Sequence, residues 1–384
     1  MRKTYNIALL VPSLNGGGAE KVIVNLANFF VGEGHNVWIV TSKKGCYFDL
    51  VHSKVSIFLL PYFSISLFGL KTPKLMTQVF WLSYFLNKYQ PEILMSTLVS
   101  ANMIAPYAKL LSWSKTKIVL RTANTFDRFK VNNLSFKEKL YVAGMKIAYK
   151  FADSLISNSE DTAKDVEKLL NIPSKRNEVI PNPVYFSECQ KLSLETTGHP
   201  WVNSGDDYIL AIGRLHPQKG FDVLLKAFKL LESKCSQIKL IVLGVGHEEG
   251  RLRDLAMKLK LSDKVDFPGF QDNPYPYLKK AKVFVLSSRW EGFGNVLVEA
   301  LAMGTPIVST DCPGGPRSIL GNGQYGTLVE IENPEAMANA IQILLSGEMK
   351  YSEDSLIKRA KEFSIEEIGQ KYFEYFLQTL QSEI

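Results

Sequence analysis

VFVLSSRWEGFGNVLVEALAMGTPIVS, residues 283–309, decides the architecture. Val283–Leu286 is a short apolar strand, and a loop carrying Gly292 and Gly294 follows it. A helix begins near Asn295, holds an apolar face through Val296–Met303 and stops at Gly304, and Ile307–Ser309 is the next strand. Strand, glycine loop, helix and strand in this order build a parallel sheet with helices on its faces. The loop amides and the helix N-terminus form a place for a phosphate. Glu291 stands on the loop, where a carboxylate accepts hydrogen bonds from sugar hydroxyls. Glu299 lies near the start of the helix and accepts from a ribose, as acidic residues do in dinucleotide sites. Taken alone, Glu299 has a blander reading, in which it only favours the helix dipole.

The same alternation extends upstream. Tyr208–Ile212, Lys239–Leu243 and Val265–Phe267 read as strands, with helices over Phe221–Leu231 and Gly250–Leu259 between them. The first half repeats the pattern: strands at Asn6–Val11, Val37–Thr41, Ile93–Ser96, Lys117–Arg121 and Ser154–Asn158, and a helix over Ala19–Val31 closed by Gly32 and Gly34. Between the halves, Val179–Val184 with its two prolines leads into a polar, irregular stretch, Ser187–Asp207, where the domain junction is expected. The expected domains are 1–185 and 200–364, two Rossmann-like α/β units whose parallel sheets face across a cleft, with ligands outside the carboxyl ends of the strands. Ile365–Leu380 has helical spacing, and the terminal helix, about 365–384, is expected to pack back on the first domain.

Two further loops carry chemistry. Gly213–Gly220, GRLHPQKG, follows a strand and precedes a helix, with Arg214 and Lys219 on one loop. Paired cations there neutralise a diphosphate leaving group; alone, the loop reads equally as a charged surface turn. Gly16, Gly17 and Gly18 follow the first strand and precede Glu20, which is not the G-x-G-x-x-G spacing. Three glycines mean close backbone approach, and Gly17 and Gly18 would offer amides to phosphates or acceptor. No Asp-x-Asp pair is present to hold a divalent metal on a diphosphate. Arg214 and Lys219 take the metal's place, so no metal and no cofactor is expected.

Of 384 residues, 46% are hydrophobic and 22% charged, values of a soluble globular protein. The four cysteines form no CxxC pair, which fits a reducing compartment. The net charge of +7 is lopsided. Residues 1–199 carry 24 Lys+Arg against 14 Asp+Glu, and residues 200–384 carry 21 against 24. An anionic partner for the first half follows, and no nucleic-acid motif accompanies the charge. Residues 51–90 hold no acid but four lysines (Lys54, Lys71, Lys74, Lys88) among many aromatics. That mixture suits an anionic lipid surface; a solvated basic face over an ordinary core is the alternative. The apolar runs Val55–Leu70 and Leu75–Asn87 fall short of the roughly 20 residues of a spanning helix.

The three loops, in this order, resemble the GT-B glycosyltransferases of family 4: Glu291 and Glu299 its E-x7-E motif, Gly213–Gly220 its G-R-x4-K-G loop, and Gly16–Glu20 its N-terminal glycine loop. The resemblance implies that Arg214 and Lys219 bind the donor diphosphate, Glu291 contacts the transferred sugar and Glu299 the ribose. It implies that Gly292, Phe293, Gly294, Asn295 and Val296 line the sugar and phosphate pocket, and that Phe270 lies beside the base. It also implies retention of anomeric configuration by front-face attack. Many relatives carry a histidine where this chain has Arg121–Thr125, RTANT; Asn124 takes that position, or the role is shared. Asp311–Arg317, DCPGGPR, is similar to relatives that use UDP-sugars, often N-acetylhexosamines, to extend lipid-linked glycans, although Ser318 stands where they have an acid. The expected function is transfer of a sugar from a UDP-sugar to a polyprenyl-diphosphate-linked or other glycan, peripherally on the inner face of the cell membrane. The rivals are an epimerase of the same architecture and a non-catalytic nucleotide-sugar-binding protein.

Overall fold

The structure, a computed structural model, describes residues 3–62, 66–67, 70–71, 74–124 and 135–382. Part of the run Val55–Leu70, and Thr125 of the RTANT segment, lie outside the described residues. The chain divides into two compact units, Met1–Pro183 with Ile365–Ile384, and Val184–Ser364.

The first unit is built on β1 (Asn6–Leu10), β2 (Asn36–Thr41) and β3 (Ser56–Leu59), a two-residue-strand hairpin β4 (Ser66–Leu67) and β5 (Leu70–Lys71), then β6 (Ile93–Thr97), β7 (Lys117–Thr122), β8 (Ser154–Ser157) and β9 (Asn177–Val179). Its helices are α1 (Gly18–Gly32), α2 (Lys74–Tyr89), α3 (Val99–Leu110), α4 (Phe136–Lys150) and α5 (Glu160–Leu170), and the terminal helix Ile365–Gln381 also belongs to this unit. The seven-stranded sheet runs β3-β2-β1-β6-β7-β8-β9, and every pairing in it is parallel. Period-two alternation sends Ala8 and Leu10 to the face covered by α2, α3 and α4, and Ile7 and Leu9 to the face covered by α1 and the terminal helix. On that second face Gly369 lies so close to Phe29 that an added Cβ would stand 2.6 Å from the ring.

In the second unit the strands are β10 (Tyr208–Ile212), β11 (Lys239–Leu243), β12 (Val265–Gly269), β13 (Val283–Leu286), β14 (Ile307–Thr310) and β15 (Thr327–Val329). The helices are α6 (Cys189–Leu192), α7 (Pro200–Ser204), α8 (Phe221–Glu232), α9 (Glu249–Lys258), α10 (Tyr275–Lys280), α11 (Asn295–Ala302), α12 (Pro316–Ile319), α13 (Pro334–Ser346) and α14 (Glu353–Lys361); the terminal helix is α15. The order β12-β11-β10-β13-β14-β15 is again all parallel. Seven side chains of α8 are buried, and Val223, Leu224 and Phe228 among them are each worth roughly 1.5–3 kcal/mol. The stretch expected as a junction, Ser187–Asp207, lies in this unit, because Cys189 and Val202 are buried in its core beside Tyr208. The chain enters and leaves the unit side by side: the amides of Val184 and Tyr185 both donate to the Phe363 carbonyl, at 2.9 and 3.0 Å.

Candidate functional site

Each sheet reverses its winding at one place. In the second unit that place is between β10 and β13, which pair side by side while their successors run to opposite edges. Crevices outside the carboxyl ends of strands at such a point are where open α/β sheets hold ligands. Both chemistry-bearing loops of this unit start there. The β10–α8 loop holds Arg214 exposed and Lys219 half-buried, and the β13–α11 loop holds Glu291 buried.

The two loops are stitched together. The Arg289 amide donates to the Gln218 carbonyl at 2.7 Å, Gln218 Nε2 to the Trp290 carbonyl at 2.8 Å, and Ser287 Oγ to the Lys219 carbonyl at 2.7 Å. Gly220, at φ +62°, ends the first loop so near the second that a Cβ would lie 2.0 Å from the Ser287 carbonyl oxygen; no other residue fits that approach. Lys219 lays its chain over Gly213 and reaches Glu291, Nζ to Oε1 at 2.5 Å. The same Oε1 accepts from the Ser288 hydroxyl at 2.6 Å. A cation and a hydroxyl thus hold a buried carboxylate in place, aimed from a rigid loop.

A third wall comes from the β14–α12 loop. The Glu291 amide donates to the Pro313 carbonyl at 2.9 Å. Cβ atoms on Gly314 and Gly315 would stand 2.3 and 2.1 Å from the carbonyl oxygens of Glu291 and Phe293. Cys312 lies behind: burial, with the Glu291 charge adding to it, pushes its thiol up to about 12. Gly294, at φ +98°, is the N-cap of α11. Phe293 turns its ring into the core against Phe363, and Gly292, Asn295 and Val296 follow the same turn. Glu299 is buried in α11, close enough to Cys189 that its charge adds to the burial that pushes that thiol up to about 11. Phe270 is exposed just past β12.

Arg289 stands on the β13–α11 loop, two residues before Glu291. In the structure it is a clamp: its guanidinium makes two bonds of 3.0 Å to Asp222 on α8 and an ion pair to Glu332. The Asp222 bonds, partly offset by burial, raise the Arg289 pKa. Burial alone would lift Asp222, but the Arg289 hydrogen bonds and charge outweigh it and hold the carboxyl below its usual value.

The first unit reverses between β1 and β6, and the Gly16–Gly18 loop leaves β1 at that point. Gly17 is the N-cap of α1, and Glu20 folds back until its Oε2 is 2.2 Å from where a Gly17 Cβ would be. Asn124 is exposed beyond the carboxyl end of β7. Three residues earlier, on β7, Arg121 is fully buried. It donates to Tyr372 Oη and Thr97 Oγ1, both at 2.8 Å, and to Asn182 Oδ1 at 2.5 Å. Ser288, Gly314, Gly315 and this role of Arg121 went unforeseen. The two glycines had a signal in their tight DCPGGPR setting; a lone serine after a strand had none. Among the described residues no three His, Cys, Asp or Glu side chains gather as a metal site, and no helix is long and apolar enough to cross a membrane.

Comparison with known proteins gives the family and the fold. The profile of the family described as glycosyl transferases group 1 matches residues 200–363, and that of glycosyltransferase family 4 matches residues 16–188. An uncharacterized glycosyltransferase of Methanocaldococcus jannaschii is 30% identical over 77% of this chain and 81% of its own. A Campylobacter jejuni protein named as an N-acetylgalactosaminyltransferase acting on a diphospho-undecaprenol-linked sugar is 26% identical over 97% of this chain and 99% of its own. Among solved structures, Anabaena HepE with UDP and glucose superposes with a TM-score of 0.80 at 18% identity, over 97% of this chain and 99% of that one. The fold is GT-B.

Proposed function

The chain belongs to glycosyltransferase family 4, and from that premise we propose that it moves an N-acetylhexosamine or hexose from a UDP-sugar to a hydroxyl of a lipid-linked glycan, with retention. The observation that carries this reading is the Lys219–Glu291–Ser288 cluster at the β10/β13 reversal. A pre-oriented carboxylate beside a cation suits a site that must grip sugar hydroxyls and a diphosphate at once. Lys219 and exposed Arg214 neutralise the diphosphate as the bond from sugar carbon to phosphate oxygen breaks. They do so without a divalent metal.

Glu291 accepts from the hydroxyls of the transferred sugar and Glu299 from the ribose. Phe270 lies against the base, and the Gly292–Val296 backbone closes on sugar and phosphates. The acceptor oxygen bonds to the anomeric carbon on the face that the diphosphate leaves, and its proton passes to the departing phosphate oxygen. The first unit holds the acceptor, with Asn124 and the Gly17–Gly18 amides facing it. The Campylobacter relative's lipid-linked acceptor and the UDP bound by HepE support this choice of partners. A lipid-linked acceptor places the work at the inner face of the cell membrane.

Titration calorimetry with UDP tests the donor half. Lys219→Met is expected to weaken UDP binding about 10- to 100-fold, the value of one charge-assisted hydrogen bond in a shielded site. Equal affinity for wild type and variant removes Lys219 from the donor site.

A further inference from the structure

The helix layer α2, α3 and α4 covers one face of the first sheet, and its outer side is apolar where a water-facing layer should be polar. On α2, Met76, Phe80 and Tyr84 recur every fourth residue and are all exposed, Phe80 by 65%. On α4, Leu140 and Ile147, with Phe151 as the C-cap, form a second exposed ridge seven and four residues apart, Leu140 by 66%. Between them α3 is largely buried, and the turn after it presents Trp113, 95% exposed, whose amide donates to Asn87 Oδ1 at the end of α2. Three apolar features on one layer exceed the scattered surface leucines of an ordinary monomer.

Among the described residues, lysines outnumber acids beside them. Lys139, Lys146 and Lys150 are exposed in a row along one flank of the α4 ridge, and α2 carries Lys74 and Lys88 with no acid in its sequence. Glu138 is turned to its own N-cap, accepting from the Ser135 amide and hydroxyl at 2.9 and 2.8 Å. Apolar ridges flanked by lysines match the boundary between acyl chains and anionic headgroups. They do not match a second copy of the same face, which would set the lysine rows against each other.

We propose that the outer face of α2–α4 is the surface by which this protein docks on an anionic bilayer, the ridges of Phe80 and of Leu140, Ile147 and Phe151 entering the headgroup layer. The assignment rests on the lipid-linked acceptor of the proposed function for its purpose, but not for its physics.

Full-length protein is cosedimented with vesicles of phosphatidylcholine alone and of phosphatidylcholine with phosphatidylglycerol, and UDP release is followed in parallel. Binding is expected to the anionic vesicles and to be weak on the neutral ones. The combined K139Q/K146Q/K150Q variant is expected to bind on the order of 100-fold more weakly, each lysine near the surface being worth about fivefold. I147S/F151S is expected to lose at least about tenfold through lost burial, with an unchanged unfolding midpoint because both side chains are exposed. Equal binding by wild type and lysine variant overturns the proposal. So does a dimer that I147S/F151S abolishes, since that makes the face a contact between copies. Absent vesicle binding with UDP release intact overturns the docking face alone, whereas vesicle binding without UDP release from any UDP-sugar upholds the face and overturns only the proposed reaction.

Discussion

Glu291 is served by two donors on one oxygen, Lys219 and Ser288, while its own amide is fixed to Pro313. The carboxylate is therefore rigid before any ligand arrives, which is what a group acting on a transition state requires. Glu291→Gln keeps the shape and removes the charge; turnover is expected to fall on the order of 100-fold with little change in UDP affinity, as steady-state kinetics on the cognate donor will read. Asp222 carries a prediction in pH. Its carboxyl is held below the unfolded value, so its contribution is complete above about pH 4 and is lost as pH falls through the lower folded value. Asp222→Asn should flatten the acid limb of urea-unfolding stability and cost about 1–3 kcal/mol at neutral pH, because Arg289 is left half-buried with Glu332 as its remaining carboxylate. The loops that carry Glu291, Arg214 and Lys219 were legible in the sequence as glycine loops between a strand and a helix. The role of Arg289 was not: clamp and ligand cation look alike until the partner on α8 is seen.

At the level of elements, the site depends on loops that approach within a van der Waals radius. Gly220→Ala sets a Cβ against the Ser287 carbonyl in left-handed backbone, and a loss of about 3 kcal/mol is expected. Thermal unfolding checks it; an unchanged midpoint contradicts the stitching of the two loops. The strand–loop–helix units around those glycines were readable, with Tyr208–Ile212, Lys239–Leu243 and Val283–Leu286 matching their strands residue for residue. Leu75–Asn87 showed only as an apolar run. It is α2, and its period is blurred because Phe80 and Tyr84 add apolar residues to the outer face while Leu82, Phe85 and Leu86 fill the inner one. β15 and α13 were overlooked although Asn333, which caps Ala336 N at 2.9 Å, and Pro334 mark the helix start. A three-residue edge strand gives too short a pattern to register.

Over the whole molecule, one buried guanidinium ties together parts of the first unit that are far apart in the chain. Arg121 bonds Asn182, one residue before the first unit ends, and Tyr372 on α15, after the chain has returned. Asn25 Nδ2 adds a bond to the Pro183 carbonyl at 2.9 Å. Tyr372→Phe leaves the Arg121 Nε–H buried without its acceptor, at a cost of about 1–3 kcal/mol. Hydrogen exchange is expected to quicken in α15 rather than in β10–β15; uniform protection would contradict that anchoring. The sequence showed Arg121 only as part of a strand, since burial of a charge is decided by partners 61 and 251 residues away. Sugar transfer from a UDP-sugar is tested by UDP release from a panel of UDP-sugars, with and without membrane lipid extract. Release is expected with one sugar, raised by the extract and lowered on the order of 100-fold by Glu291→Gln. Conversion of a UDP-sugar to another without release of UDP, or undiminished turnover in the variant, would contradict it.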